Sequence, residues 1–210
     1  MPLIKALLSD AGSVILKEAA TFIDSELKSL TNLDMGRVIE TKQKYWMLTK
    51  TGRITDKEMW LGSKIEGYEQ GVFKELGIPA KHYKPFIEKI REVQVPNEGA
   101  IEFLEFIKEN NIPAYLLSNS SYELVEKPYK KFGFSNYFVK EFFSHKIGAA
   151  KPDKRFFTTA IKSIGVHPSE ILFIDDKESN IRAAQELGMQ TVLFESPECF
   201  NKVKLILKIQ

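Results

Sequence analysis

Leu3-Ile4-Lys5-Ala6-Leu7-Leu8-Ser9-Asp10 and Ile171-Leu172-Phe173-Ile174-Asp175-Asp176 decide the fold of this chain, because each is a short apolar run that stops on carboxylates. Runs of this kind read as strands buried on both faces, the condition of a parallel sheet covered by helices. If the two runs are neighbours in one such sheet, their carboxyl ends share an edge and three acids converge there. Carboxylates packed that closely repel one another and resist ionisation, so a cation is their natural partner. An all-oxygen donor set points to a hard ion, most simply Mg²⁺.

Working outward, the first run is followed by a block with no comparable strand signal. From about Lys17 to Val95 the apolar residues recur at helical spacing, as in Phe22, Leu27 and Leu30, then Met59-Trp60 with Ile65, then Phe86-Ile87 with Ile90. Thr55-Asp56-Lys57-Glu58 reads as a helix start, with a capping residue followed by acids in the first turn. From Pro96 onward strands and helices alternate. A helix over 99–110 precedes the strand Ala114-Tyr115-Leu116-Leu117, which ends at Ser118-Asn119-Ser120. An amphipathic stretch from Tyr122 to Phe132, a candidate strand at Glu141-Phe142-Phe143-Ser144 and a helix over 152–164 lead to the Ile171 run. A helix from about Ser179 to Leu187 and the strand Thr191-Val192-Leu193-Phe194 follow. Val203 to Leu207 suits either a helix or a strand. This rhythm predicts an α/β fold with helices on both faces of a Rossmann-like parallel sheet. The expected division is a core of residues 1–16 and 96–210, with an inserted α-helical cap at 17–95.

Composition excludes several functions. The 210 residues are 43% hydrophobic, and 30 basic side chains against 28 acidic give a net charge of +2 with no dense basic block. Nucleic-acid binding is not expected. No run reaches the ~18 apolar residues of a membrane span, and the Met-Pro start has no basic stretch leading into an apolar core. A cytoplasmic location and no membrane partner are therefore expected. Cys199 is the only cysteine, so no intramolecular disulfide forms and an inert thiol is expected. His82, His145 and His167 have no metal-ligand spacing and read as surface or loop residues.

Four stretches in sequence, Leu3–Val14, Ala114–Ser120, Gly148–Phe157 and Ile171–Met189, resemble the motifs of the haloacid dehalogenase superfamily of mostly phosphate-transferring hydrolases. The likeness runs from Leu3 to about Phe194, and the position of the helical insert resembles the subclass whose cap follows the first motif. The resemblance implies a small phosphorylated substrate and specific roles. Asp10 would attack phosphorus and form an aspartyl phosphate, which water then hydrolyses. Ser118 and Asn119 would hold the phosphoryl oxygens, and Lys151 would pair with Asp10 and the phosphoryl group. Asp10, the Gly12 carbonyl, Asp175 and Asp176 would hold Mg²⁺, with Asp176 the more direct ligand of the pair and Asn180 orienting the cluster.

Gly12 departs from the pattern. Most phosphatases of this family carry there a second Asp that protonates the leaving group, help worth ~10²–10⁴ in rate. Glycine keeps the carbonyl and loses the acid, which favours an ester with a good leaving group, such as an anomeric sugar phosphate or an acyl phosphate; some family members with glycine here resemble sugar-1-phosphate phosphatases, so the resemblance implies a sugar phosphate first. Glu18, Lys42 and Tyr45 are candidate proton donors from the cap, and Tyr45, Trp46, Arg53 and Trp60 are candidate pocket residues. Two alternatives stand beside the phosphatase: a catalytically silent metal- or phosphate-binding protein, and a metal-independent dehalogenase.

Overall fold

The structure is a computed structural model that describes residues 3–208. Five strands form one sheet: β1 (Ala6–Ser9), β2 (Ala114–Ser118), β3 (Lys140–Phe143), β4 (Ile171–Asp175) and β5 (Gln190–Leu193). They run in the order β3-β2-β1-β4-β5, all parallel. β1 is central, with Ser9 in register with Leu116 on one side and Ile174 on the other. The two acid-tipped runs are thus neighbours, which meets the condition on which the convergence of the three acids depended.

Helices fill both faces because strand side chains alternate. Leu7, Leu116 and Ile174 pack on one face with Phe103 and Phe200; Leu8, Leu117 and Phe173 pack on the other with Phe156 and Phe157. Fully burying each such side chain contributes roughly 1.5–3 kcal/mol. Between β1 and β2 come five helices, α1 (Ala20–Ser29), α2 (Met35–Thr49), α3 (Asp56–Leu61), α4 (Gly71–Glu75) and α5 (Tyr83–Val93), followed by α6 (Ala100–Glu109) on the sheet. A π-helical turn (Tyr122–Glu126) continues into α7 (Lys127–Lys131), where sequence reading expects one amphipathic helix. α8 (Ser144–Ile147), α9 (Lys154–Ile164), α10 (Glu178–Glu186) and α11 (Cys199–Lys208) complete the described chain. The ambiguous tail is helical because Phe200 and Val203, three residues apart, face the same core. Phe200 stacks on Phe103 with ring centroids 4.6 Å apart.

The helices α1 to α5 build a core of their own from Leu27, Val38, Trp60, Phe73, Phe86 and Ile90. Trp60 meets Phe86 edge-on at 4.8 Å. α3 begins with the expected cap: Thr55 Oγ1 accepts from the Glu58 amide, and the Glu58 carboxylate accepts from the Thr55 amide. The block leaves and re-enters the sheet domain through two adjacent stretches. Leu16 bridges Pro96, the Lys17 amide donates to the Val95 carbonyl at 2.9 Å, and the Asn97 amide donates to the Ile15 carbonyl at 2.8 Å.

A second seam joins block and sheet domain. Asp56 of α3 accepts from the Glu123 amide in the π-helical turn at 3.1 Å, and Arg91 of α5 pairs with the Glu123 carboxylate. Thr51-Gly52-Arg53 is not a plain loop. Gly52 has φ +72°, and a Cβ there would lie 2.1 Å from the His145 carbonyl oxygen, so only glycine permits this approach. His145 is correspondingly not a surface residue: it is half-buried, with Nε2 3.3 Å from the Glu126 carboxylate. Cys199 is half-buried, its Sγ 3.6 Å from the Leu193 carbonyl oxygen.

Candidate active site

The carboxyl edge of the sheet collects charge through the backbone. The Asp10 amide donates to the Ile174 carbonyl at 2.9 Å, which carries the β1–β4 pairing one residue beyond β1 and fixes Asp10 at the strand end. Its Oδ1 accepts from the Ala11 amide and from Lys151 Nζ, both at 2.7 Å. Lys151 Nζ donates equally to Asp175 Oδ2 at 2.7 Å. Asp175 Oδ1 accepts from the Lys177 amide at 2.9 Å and from Asn180 Nδ2 at 2.8 Å. Asn180, in the first turn of α10, therefore orients Asp175. Lys151 is itself clamped: its amide donates to Asn119 Oδ1 at 2.7 Å, and Asn119 Nδ2 donates to its carbonyl at 2.8 Å.

These contacts leave the site short of positive charge. Asp10, Asp175 and Asp176 offer carboxylate oxygens all within 4.8 Å of one another, and Lys151 is the cation between two of them. Burial pushes the Asp10 carboxyl up to about 7, and the charges of Asp175 and Asp176 push the same way against the pull of Lys151. Burial works against the Lys151 ammonium, yet Asp10 and Asp175 hold its pKa above the usual lysine value. Among the described residues no protein donor engages Asp10 Oδ2 or the Asp176 carboxylate. Donor-free carboxylate oxygens on Asp10 and Asp176, beside a third acid in the same cluster, fit a small divalent cation.

A cavity of about 320 Å³ opens between this edge and the helical block. Asp10, Gly12, Asn119, Lys151, Asp176 and Asn180 line it, as do Trp46, Trp60, Glu18 and Lys42. Ser118 and Asp175 are buried and do not line it. Two expected cap residues are misplaced by the sequence reading. Tyr45 is fully buried with its hydroxyl donating to Glu75 at 2.7 Å, and Arg53 is exposed outside the cavity. Lys42 pairs with Asp24. Lining residues that no motif marks include Ile23, Met59, Gln94 and Val125. Only helical periodicity carried a trace of them. Lys50, at the end of α2, is held below the ordinary lysine value by partial burial and then by the charge of Lys177. The charge of Lys177, which lines the cavity, is thus felt at the end of α2.

Comparison with known proteins agrees with this edge. A family model described as a haloacid dehalogenase-like hydrolase matches residues 4–188, and the chain belongs to that family. Enolase-phosphatase E1 of Aquifex aeolicus is 36% identical over 151 residues, covering 67% of this chain and 66% of that protein. Enolase-phosphatase E1 of Persephonella marina is 29% identical over 147 residues, 68% of this chain and 58% of that protein. The chain thus spans less than two thirds of the length of these relatives. A haloacid dehalogenase family enzyme of Bacteroides thetaiotaomicron, solved in complex with magnesium and inorganic phosphate, is 25% identical with a TM-score of 0.74, covering 92% of this chain and 95% of that one. No helix among the described residues is long and apolar enough to cross a membrane.

Proposed function

We propose that the chain is a Mg²⁺-dependent phosphatase that cleaves a small phosphorylated metabolite through an aspartyl phosphate. The observation that carries this is Asp10 itself. It lines the cavity with Oδ1 held by Lys151 and the Ala11 amide and Oδ2 without a donor, so one carboxylate can offer one oxygen to the ion and the other to phosphorus. Attack forms the Asp10–phosphorus bond and releases the alcohol oxygen with its electron pair. Water then cleaves the acyl phosphate, restoring the carboxylate and giving inorganic phosphate. Lys151, neutralising charge between nucleophile and phosphoryl group, lowers the cost of bringing anion to anion. Asn119, just past the end of β2, lines the cavity and holds the phosphoryl oxygens in this reading, whereas Ser118, buried beneath it, only supports that position. Asn119 holds them while fixing Lys151.

Asp10, Asp176 and the Gly12 carbonyl would hold Mg²⁺, with Asp175 at the margin of the set because its oxygens already serve Lys151, Lys177 and Asn180. The ion supplies charge neutralisation and alignment of the phosphoryl group. The α1–α5 block acts as the cap in this proposal, closing on the sheet edge to exclude water. The enzyme then needs a substrate with a good leaving group, since Gly12 provides no acid. That same glycine favours one second reading, a silent phosphate-binding module.

Phosphate release from acetyl phosphate, para-nitrophenyl phosphate and glucose 1-phosphate, with and without Mg²⁺, tests the proposal. Turnover that requires Mg²⁺ and falls more than about a thousandfold in Asp10→Asn is expected. Metal-independent chloride release from chloroacetate would replace it with dehalogenation; tight Mg²⁺ binding without any turnover would leave the silent module.

A further inference from the structure

Gly12 carries no acid to protonate a departing alkoxide, yet the loop that follows it brings another carboxylate to the same cavity. Past Asp10 the chain turns back on itself: the Ala11 carbonyl accepts from the Ile15 and Leu16 amides at 2.9 and 2.8 Å, and Leu16 bridges Gly12. One residue later the Lys17 amide donates to the Val95 carbonyl. Glu18 comes next, just ahead of α1, and is thus anchored to the stem two residues beyond the partner of Gly12. It lines the cavity together with Asp10, Gly12 and Lys151.

The other polar groups of the lining are engaged or chemically unsuited to proton transfer in both directions. Three acids line the cavity: Asp10 is the nucleophile of the phosphatase reading, Asp176 is assigned to the ion, and Glu18 has no hydrogen-bond or ion-pair partner among the described residues. Lys42 is paired with Asp24, and Tyr45 is buried on Glu75 away from the lining. Gln43 and Gln94 bring amides and Ser13 a hydroxyl, groups that bind polar atoms but do not exchange protons readily near neutral pH. Lys17 and Lys177 bring ammonium groups. An ordinary ammonium, with a pKa of about 10.4, can give a proton to a leaving oxygen but stays charged at neutral pH and takes none from water. A carboxyl group serves both steps, because a phosphate dianion beside it raises its affinity for a proton and loss of that proton leaves a base. Glu18 is also exposed, as a group that exchanges protons with water must be.

We infer that Glu18 is the general acid and base of this site, protonating the departing ester oxygen and then deprotonating the water that cleaves the aspartyl phosphate. This rests on the phosphatase reading and lifts the leaving-group limit that Gly12 alone sets. In the first step the phosphorus–oxygen bond of the ester breaks with its electron pair on the leaving oxygen, which takes the Glu18 proton and departs as a neutral alcohol. In the second, the Glu18 carboxylate takes a proton from water as the water oxygen bonds to phosphorus, and the electrons of the Asp10–phosphorus bond return to Asp10. Glu18 is then protonated again.

Glu18→Gln keeps the shape of the side chain and removes the acid. With glycerol 3-phosphate and glucose 6-phosphate, esters of poor leaving groups, kcat/KM is expected to fall at least about a hundredfold. With para-nitrophenyl phosphate, whose leaving group needs no proton, kcat/KM is expected to stay within about threefold while kcat falls, because the second step has lost its base. A burst of nitrophenolate should then precede slow turnover, the mark of an accumulating phosphoenzyme. Gly12→Asp added to Glu18→Gln should restore the alkyl esters at least about tenfold, since a Cβ at position 12 meets nothing within 4 Å. Equal loss of kcat/KM for alkyl and nitrophenyl esters would make Glu18 a structural residue and overturn the inference. Unchanged kinetics for both, or an unsubstituted enzyme that cleaves activated but no alkyl esters, would overturn it too and leave the phosphatase standing. Failure of every ester, acetyl phosphate included, would remove the phosphatase reading and this one with it.

Discussion

At the carboxyl edge of the sheet, Lys151 is 2% exposed with carboxylates on two sides at 2.7 Å, and each of those acids is held by further donors. In the helical block, Trp60 is buried against Phe73 and Phe86, and even its one polar atom has no partner. A buried charge tolerates only particular neighbours, because an unmatched ion in a poor dielectric is costly. An apolar space accepts many fillings of the same volume. The first region is therefore specified residue by residue and the second by shape.

The contrast is most exposed at Lys151. Lys151→Met should lower the unfolding free energy of the metal-free protein by about 3–5 kcal/mol in urea titrations, since it strands buried carboxylates. Saturating Mg²⁺ should recover part of that loss by supplying the missing positive charge. Equal destabilisation with and without the ion would show that Lys151 and the cation do not share one electrostatic role. Trp60→Ala should cost a comparable ~3–5 kcal/mol through the cavity it leaves. Here Mg²⁺ should raise the melting temperature only as much as it does in the unsubstituted protein. A selective rescue would mean that the two regions are coupled more closely than their separate cores suggest.

The seam between the regions gives a smaller, pH-dependent effect. Burial holds the Asp56 carboxyl above its ordinary value of 3.8, and the hydrogen bond from the Glu123 amide only partly opposes this. The folded state thus favours the protonated acid. Its contribution is complete below the ordinary value and is lost as pH rises through the higher folded one. Melting temperatures taken from pH 4 upward should show that decline in the unsubstituted protein and a flatter profile in Asp56→Asn; identical profiles would remove Asp56 as the cause. Smallest is the cap of α3, where Thr55→Ala should cost about 1 kcal/mol, read as a shift in the urea midpoint.

The same contrast explains what could be read from the chain. Asp10 and Asp175-Asp176 were legible because they lie at the ends of the apolar runs that form β1 and β4, whereas Lys151 lies beyond α8 and was marked by the family resemblance alone. The apolar runs marked β1 and β4 as strands, while their adjacency is set by the strand order of the sheet. Within the helical block, Tyr45 and Trp46 are neighbours in sequence, yet one anchors Glu75 and the other lines the cavity. Periodicity marks a helix but does not say which of two adjacent aromatics turns toward the cleft. Arg53 was misread because a charge after a glycine looks available for a ligand, whereas Gly52 is there to approach the His145 backbone. The π-helical turn had no signature distinguishable from an ordinary helix.

The paired stretches at Leu16–Lys17 and Val95–Asn97 carry a consequence for how such a molecule diversifies. The block's two attachment points are hydrogen-bonded to each other, so its removal or exchange spans almost no distance and demands little extra loop-closure entropy. A different bundle with similarly close ends could be grafted onto this stem without disturbing the strands. Bond-breaking machinery and choice of molecule would then be inherited as separable parts, one conserved in the stem and the other traded above it.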